Sequence, residues 1–167
     1  MIKEEEKKRL EEMGIKKEEI EKDEKMRLQM MYCDFLEKAG YEHGLEEQGD
    51  VAFIYKDHHF AIEIYDEDLY FGRLCLKVRA DFDEDTIMYA YIAASEASGS
   101  CNFTKVYIRD GDFGDGKQYI MFAIGYLLDH PGDFKKNLER MLEDMLSAYQ
   151  EFDGVMNTII NSNQEKE

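Results

Sequence analysis

The chain has no tryptophan, a single proline and three cysteines in 167 residues. The scarcity of proline favours regular helices and strands over long loops. The odd number of cysteines (Cys33, Cys75 and Cys101) and the lack of a C-x-x-C pair indicate reduced thiols in a reducing compartment. No run of about 18 apolar residues occurs, so no membrane-spanning segment is expected. The first residues also lack the apolar stretch of a signal peptide, and we therefore expect a cytoplasmic protein.

Positive charge is also in short supply. Lys and Arg number 21 against 38 Asp and Glu, which gives a net charge of −17. Phosphate binding needs clustered basic side chains, so a nucleic-acid partner is not expected, and an anionic membrane would repel the chain. This charge favours solubility and steers the protein toward basic partners. Hydrophobic residues still make up 44% of the chain, which is enough for a core at this size.

The sequence pattern predicts one domain between two polar termini. Residues 1–23 form a charged N-terminal helical arm, because they contain helix formers but no sustained apolar stripe. Residues 24–156 form a single α+β domain, and residues 157–167 form a polar C-terminal tail. Apolar residues at helical spacing predict a first packed helix from about Glu24 to Ala39, and Gly40 would end it.

Changes of hydrophobic period predict the remaining elements. Alternating residues predict strands at 51–56, 59–65, 69–79, 103–109 and 118–128. Helices are expected from Asp81 or Asp83 to Gly99 and from Pro131 onward. The predicted order is α-β-β-β-α-β-β-α, an α+β fold whose five-stranded, largely antiparallel sheet has helices packed mainly on one face.

Several stretches resemble a known family. They are Gly49–Phe53 entering the first strand, Phe60–Ile64 pairing with it, Thr104–Ile108 after the alanine-rich helix, and Phe134–Leu146 in the last helix. In element order the chain resembles the type III secretion chaperone-like fold, and in sequence it looks like the YbjN-like branch. The likeness covers roughly residues 25–155. It implies a small, acidic, often dimeric binding protein with no catalytic residues.

Residues 111–117 match the phosphate-loop pattern G-x-x-x-x-G-K, but Gln118 stands where a magnesium-binding Ser or Thr is required. Strands are predicted on both sides of the segment, and Asp112 and Asp115 would repel phosphate. We therefore interpret it as a hairpin turn. The same acids do not have the spacing of a calcium loop, although weak calcium binding stays possible.

No other motif indicates catalysis or a cofactor. His58 and His59 are adjacent in a predicted strand, so they would point to opposite faces. His43 and His130 lie in predicted loops, and no paired Cys/His spacing suggests zinc. Each cysteine has the character of a small core residue. We expect no enzyme activity, no metal and no cofactor.

The second face of the sheet is the most informative feature. If the alternating apolar residues face the helices, basic and aromatic side chains gather on the other face. The predicted partner-binding residues there are Tyr65, Arg73, Lys77, Arg79, Lys105, Tyr107 and Arg109. Three interpretations remain open: an ordinary outward face whose cations pair with nearby acids, a homodimer contact, or a surface for another protein.

Three functions follow from these features. The first is a protein-binding module, chaperone-like or a regulatory adaptor, that holds a segment of a partner protein. The second is an immunity-type inhibitor of a basic toxin. Its contact acids would be Asp66, Glu67, Asp68, Asp110, Asp112 and Asp115. The third is a small-molecule enzyme, which would need converging polar groups that the sequence does not display.

Overall fold

The computed structural model describes residues 17–65, 68–69, 71–84, 86–110, 118–127 and 131–164. In these residues three helices and six strands follow in the order α1-β1-β2-β3-β4-α2-β5-β6-α3. Their bounds are α1 Lys17–Ala39, β1 His43–Leu45, β2 Val51–Tyr55, β3 His58–Ile64, β4 Phe71–Ala80, α2 Ile87–Ser100, β5 Lys105–Asp110, β6 Gln118–Leu127 and α3 Pro131–Gln164. None of the described helices is long and apolar enough to cross a membrane.

The predicted α+β class is confirmed, with strands ordered β1-β2-β3-β4-β6-β5 in an open antiparallel sheet. The predicted count of five strands is wrong, because the described residues contain a sixth. This extra strand, β1, pairs antiparallel with β2 and places His43 opposite Phe53. Three residues are too few to show an alternating pattern, so the sequence carries no signal for this strand.

Two helices are longer than the apolar pattern predicts. The first helix begins at Lys17, ahead of the expected start near Glu24, within a run of Lys and Glu that favours helix. The last helix continues to Gln164, through part of the predicted polar tail. Its final turns contact α2, since the Asn163 amide donates a hydrogen bond of 2.9 Å to the Tyr89 hydroxyl. The division into arm, domain and tail stays a prediction.

Residue contacts divide the chain into two compact units. The first unit contains α1, β1, β2, β3 and the start of β4 as far as Arg73, together with Tyr126 and Leu127. The second unit contains β4 from Leu74, α2, β5, β6 as far as Gly125, and α3.

In the first unit, α1 buries Leu28, Tyr32 and Leu36, which are spaced four residues apart on one face of the helix. The helix ends as predicted at Gly40, whose φ of +80° suits a residue without a Cβ. Hydrogen bonds from the Gly40 and Tyr41 amides to carbonyls of the last turn complete the cap. Tyr41 then packs on Phe53, with ring centroids 5.8 Å apart.

A close approach in the first unit explains Gly72. A Cβ at this position would lie 2.5 Å from ring carbon Cζ of Tyr126. The Tyr126 hydroxyl donates a hydrogen bond of 3.1 Å to the Tyr32 hydroxyl, so the ring is held over β4. Burial raises the pKa of Tyr32 to about 12, and the hydrogen bond from Tyr126 opposes part of that rise.

In the second unit, α3 places its apolar stripe on the sheet. The residues of this stripe are buried, with Tyr149 half-buried; they are Phe134, Leu138, Met141, Leu142, Met145, Tyr149 and Phe152. The Phe122 ring of β6 meets Tyr149 and Phe152 edge to face, with centroids 5.6 and 6.0 Å apart. Four alanines of α2 are also buried: Ala90, Ala93, Ala94 and Ala97.

The start of α2 is fixed one turn upstream by a pair of reciprocal hydrogen bonds. The Thr86 amide donates to the Asp83 carboxylate at 2.8 Å, and the Asp83 amide donates to the Thr86 hydroxyl at 3.1 Å. This arrangement is a capping box, which satisfies amides that have no partner inside the helix. The helix itself begins at Ile87, with Thr86 as its N-cap residue, which is later than the predicted start at Asp81 or Asp83.

We expect Gly72→Ala to lower the free energy of unfolding by about 1–3 kcal/mol, because the added methyl forces the Tyr126 ring to move. The matched control is Gly154→Ala in α3, where a Cβ meets no atom within 4 Å. That control should raise the free energy of unfolding by up to about 1 kcal/mol through helix propensity. Urea unfolding followed by circular dichroism measures both, and equal effects of the two substitutions would contradict the close approach at Gly72.

Candidate protein-binding surface

One face of the sheet in the second unit is basic. Strand register places Lys105 opposite Ala123, Tyr107 opposite Met121 and Arg109 opposite Tyr119, so these six side chains point to one face. Contacts of Cys75 with this set put the odd-numbered residues of β4 on the same face. We call this surface the basic sheet face; its residues are Cys75, Lys77, Arg79, Lys105, Tyr107, Arg109, Tyr119, Met121, Ala123 and Gly125. Four of these residues are basic and none is acidic.

The centre of the basic sheet face is an apolar floor. Cys75, Met121 and Ala123 form a buried cluster, and the half-buried Tyr107 and Tyr119 pack against it. Strand β6 is therefore apolar on both sides and requires cover on both. On this side the two tyrosines contribute that cover.

The basic residues surround this floor. Arg79, Lys105 and Arg109 are exposed, and Lys77 is half-buried two residues beyond Cys75. The register thus brings together Lys105, Tyr107 and Arg109 as the alternating pattern predicts. Their role in binding a partner stays a prediction.

The two remaining predicted residues, Tyr65 and Arg73, lie together in the first unit around Glu63. The Arg73 guanidinium forms an ion pair with the Glu63 carboxylate and donates a hydrogen bond of 2.7 Å to it from Nε. The Tyr65 hydroxyl donates to the same carboxylate oxygen at 3.0 Å. Because the Glu63 side chain is only 10% exposed, these two donors help to stabilise its charge. Arg73 also lies 5.4 Å from the Tyr65 ring centroid, within cation–π range.

We expect Arg73→Ala to lower the free energy of unfolding by about 2 kcal/mol, because it removes the positive charge beside a buried carboxylate. Tyr65→Phe removes one hydrogen bond and should cost about 1 kcal/mol. Arg79→Ala is the control, since an exposed arginine on the same strand should change stability by less than about 0.5 kcal/mol. Chemical unfolding measures all three. Similar losses for Arg73→Ala and Arg79→Ala would show that Glu63 does not need its partner.

The described cysteines lack the features of a nucleophile. Burial, followed by the Asp34 carboxylate, raises the pKa of the Cys33 thiol. Burial, followed by the Asp144 carboxylate, raises the pKa of the Cys101 thiol. Both thiols therefore stay protonated at neutral pH, whereas a reactive cysteine needs its thiolate.

The described residues contain no group of three or more His, Cys, Asp or Glu arranged to hold a metal ion. His58 and His59 are consecutive in β3, so their side chains point to opposite faces as predicted. His43 lies in β1 and not in the predicted loop, with Nδ1 3.0 Å from the Tyr41 carbonyl oxygen. His130 lies outside the described residues.

A shallow groove of about 350 Å³ runs along α3, lined by Glu151, Gly154, Val155, Thr158 and Ile159. A catalytic site needs several converging polar groups, and this groove presents one ionisable side chain. The groove therefore lends no support to the enzyme alternative.

The loop that resembles a phosphate loop, residues 111–117, lies outside the described residues. It is flanked by β5 and β6, which are antiparallel strands as the turn interpretation predicts. Most of the acids proposed for toxin inhibition also fall outside the described side chains: Asp66, Glu67, Asp110, Asp112 and Asp115. Asp68 alone among them is described, and it is exposed.

Tyr119 is an aromatic residue of this surface that the sequence analysis missed. The alternating pattern of β6 does contain the signal, because Tyr119 shares its parity with Met121 and Ala123. It lies beside the undescribed loop at the start of the strand, where polar neighbours hide the period.

Comparison with known proteins shows likeness in structure alone. No family model matches the chain, and no curated protein matches it in sequence. YbjN from E. coli, described as a proposed transcription regulator, is similar in fold with a TM-score of 0.57 and 10% identity, over 71% of this chain and 87% of that one. An uncharacterised protein from Methanothermobacter thermautotrophicus has a TM-score of 0.55 and 10% identity, over 78% of this chain and 96% of that one. The fold is therefore YbjN-like, in agreement with the resemblance predicted from sequence.

Proposed function

We propose that this chain is a non-enzymatic protein-binding module, chaperone-like or a regulatory adaptor, that holds a segment of a partner protein against the basic sheet face. The observation that supports this most directly is the composition of that face. It has a floor of buried apolar residues, two half-buried tyrosines and four cations, with no acid. Interfaces favour tyrosine and arginine at their centres in the same way.

The charge of the whole chain does not oppose an acidic partner segment. At physiological ionic strength the Debye length is about 8 Å, so a bound segment responds mainly to the charges next to it. Among the residues that form the basic sheet face those charges are all positive. The net charge of −17 belongs to the whole chain, and charges beyond the Debye length are largely screened.

The proposal assigns different roles to the predicted site residues. Lys77, Arg79, Lys105, Tyr107 and Arg109 are assigned to contact with the partner. Tyr65 and Arg73 are assigned to the stability of the first unit, because both hydrogen-bond to Glu63. The description of YbjN as a proposed transcription regulator is compatible with an adaptor role.

Site-specific cross-linking tests the proposal. Replacing Tyr107 with p-benzoylphenylalanine keeps an aromatic ring on the basic sheet face, and Met30, which is 65% exposed on α1, is the control position. In lysate from cells that express the chain, we expect position 107 to capture one defined partner segment, located by mass spectrometry. That product should decrease several-fold at 0.5 M salt and with Lys105→Glu, because both weaken contact with the cations.

Position 30 should not capture that segment. A specific contact on the basic sheet face would be contradicted if both positions gave identical products. It would also be contradicted if neither 0.5 M salt nor Lys105→Glu reduced the amount of product at position 107. Lys135→Glu makes the same change of charge on α3 and should leave the product unchanged.

We propose further that the predicted homodimer forms through the outer side of α2. Met88, Tyr91 and Ile92 lie on this side, 59%, 52% and 47% exposed. The helix contains a single charged residue, Glu96, so two strongly acidic chains can approach here with little repulsion. The basic sheet face is less suited to self-association, since a two-fold axis would bring its four basic side chains close to the same four of the second copy, and these would repel each other.

Ile92→Glu should convert the dimer to a monomer, because two-fold symmetry introduces two buried charges at once. Light scattering coupled to size-exclusion chromatography measures the molar mass. Lys105→Glu should leave the mass at twice that of the chain. A dimer that survives Ile92→Glu and dissociates with Lys105→Glu would place the contact on the sheet.

A further inference from the structure

The outer edge of β5 is closed to strand addition near its start. Strand β5 is the last strand of the sheet, so its outward backbone groups could pair with another chain. The Val106 amide instead donates to the Ser98 hydroxyl of α2 at 2.7 Å, and that hydroxyl donates to the Val106 carbonyl at 3.2 Å. The Thr104 amide donates to the Asp144 carboxylate of α3 at 3.0 Å. Near the start of β5, a partner segment must therefore be held by side chains on the sheet face.

The side chains of β5 set a spacing for such a segment. Lys105, Tyr107 and Arg109 alternate along the strand and share one face. Successive members lie about 6.6 Å apart along the strand and the two cations about 13 Å apart, from the rise of about 3.3 Å per residue. An extended peptide has the same repeat, so its residues i, i+2 and i+4 can face the three side chains together.

The chemistry at each position follows from the neighbouring residues. Lys105 is exposed and faces the small Ala123 across the strand pair, which leaves its ammonium group accessible to a carboxylate. Arg109 is exposed at the other end and presents a planar guanidinium, which suits a carboxylate. Between them, Tyr107 packs on the apolar floor and offers an aromatic surface, with Tyr119 on the adjacent strand.

We propose that the basic sheet face recognises an extended, acidic segment of the pattern acid-x-aromatic-x-acid, lying along β5. The two acids face Lys105 and Arg109, and the central aromatic residue lies against Tyr107. This inference rests on the proposed protein-binding function and adds the sequence pattern of the bound segment.

Two fluorescent peptides of identical composition test the spacing. The first has the core Ser-Glu-Ser-Tyr-Ser-Glu-Ser, with acids two residues from the tyrosine. The second has the core Ser-Ser-Glu-Tyr-Glu-Ser-Ser, whose acids point away from the face that carries the tyrosine. Fluorescence anisotropy at 0.05 and 0.15 M salt should show the first peptide binding the full chain at least about tenfold more tightly than the second, since one well-placed charge pair is worth about that factor.

Variants of the chain locate the contact. Lys105→Glu should reduce affinity for the first peptide at least about tenfold, and Lys135→Glu should not change it. A peptide with one Glu replaced by Lys should bind Lys105→Glu more tightly than it binds the unmodified chain. This reversal cannot arise from a variant that fails to fold.

The outcomes separate the two proposals. If the chain bound the two peptides with equal affinity and Lys105→Glu weakened both, the proposed spacing of the acids would be wrong and the protein-binding function would still be supported. The recognition pattern would be overturned if Lys105→Glu left the affinity for the first peptide unchanged, or if neither peptide bound at millimolar concentration. In either case, the cross-linking at position 107 would test the protein-binding function independently. Both the recognition pattern and the protein-binding function would be overturned if a single-stranded oligonucleotide bound more tightly than either peptide and if Lys105→Glu abolished that binding.

Discussion

Strand β6 imposes the constraint on which the second unit depends, because it is apolar on both sides. Ile120, Phe122 and Ile124 are buried on one side, and Met121 and Ala123 are buried on the other. An apolar strand with one side in water would lose about 25 cal/mol for each Å² left uncovered. The Phe122 side is covered by the rings of α3. On the other side, Tyr107 and Tyr119 pack on the buried residues from within the sheet itself.

This solution has a consequence for function. The two tyrosines that pack on the second side are half-buried, so they keep part of each ring at the surface. Tyrosine combines a large apolar ring with a polar hydroxyl, so it is stable at such a boundary and also favourable in an interface. The residues that complete the core are therefore also the ones that offer a contact surface.

Two basic residues on comparable strands show why position decides role. Arg73 lies beside a carboxylate that is mostly buried, and its charge is used to keep that carboxylate stable. Lys105 lies opposite Ala123, which has no charge to offer. The same kind of side chain is thus structural in the first unit and accessible to a partner in the second.

The spacing of apolar residues, alternating in strands and near 3.6 residues in helices, was sufficient to predict the longer strands and helices. The alternation in residues 60–64 and the apolar stripe of Phe134 to Phe152 correspond to β3 and α3 in the structure. Strand β1 could not be predicted, because it depends on pairing with β2 and has only three residues. The extension of α3 to Gln164 depends on a contact with α2, and tertiary contacts of this kind leave no periodic signal.

The sequence was enough to predict which side chains share the candidate surface. It was not enough to predict which of the predicted residues pair with a nearby acid. Alternation is enough to place Lys105, Tyr107 and Arg109 on one side of a strand, because the period of a strand is fixed by geometry. The ion pair of Arg73 with Glu63 joins residues ten positions apart in sequence, and no local rule selects one acid among 38.

The closed edge of β5 connects stability with selectivity. An open edge would accept almost any extended chain, because backbone hydrogen bonds are the same for every sequence. Ser98 and Asp144 occupy the outward groups near the start of this strand, so recognition there falls to side chains. Side chains discriminate where backbone groups cannot, since a misplaced charge on a partner costs binding free energy at a specific position. The helices that bury the core thereby also occupy part of the outer edge of β5, and the face of the sheet is left as the surface on which side chains can make sequence-specific contacts.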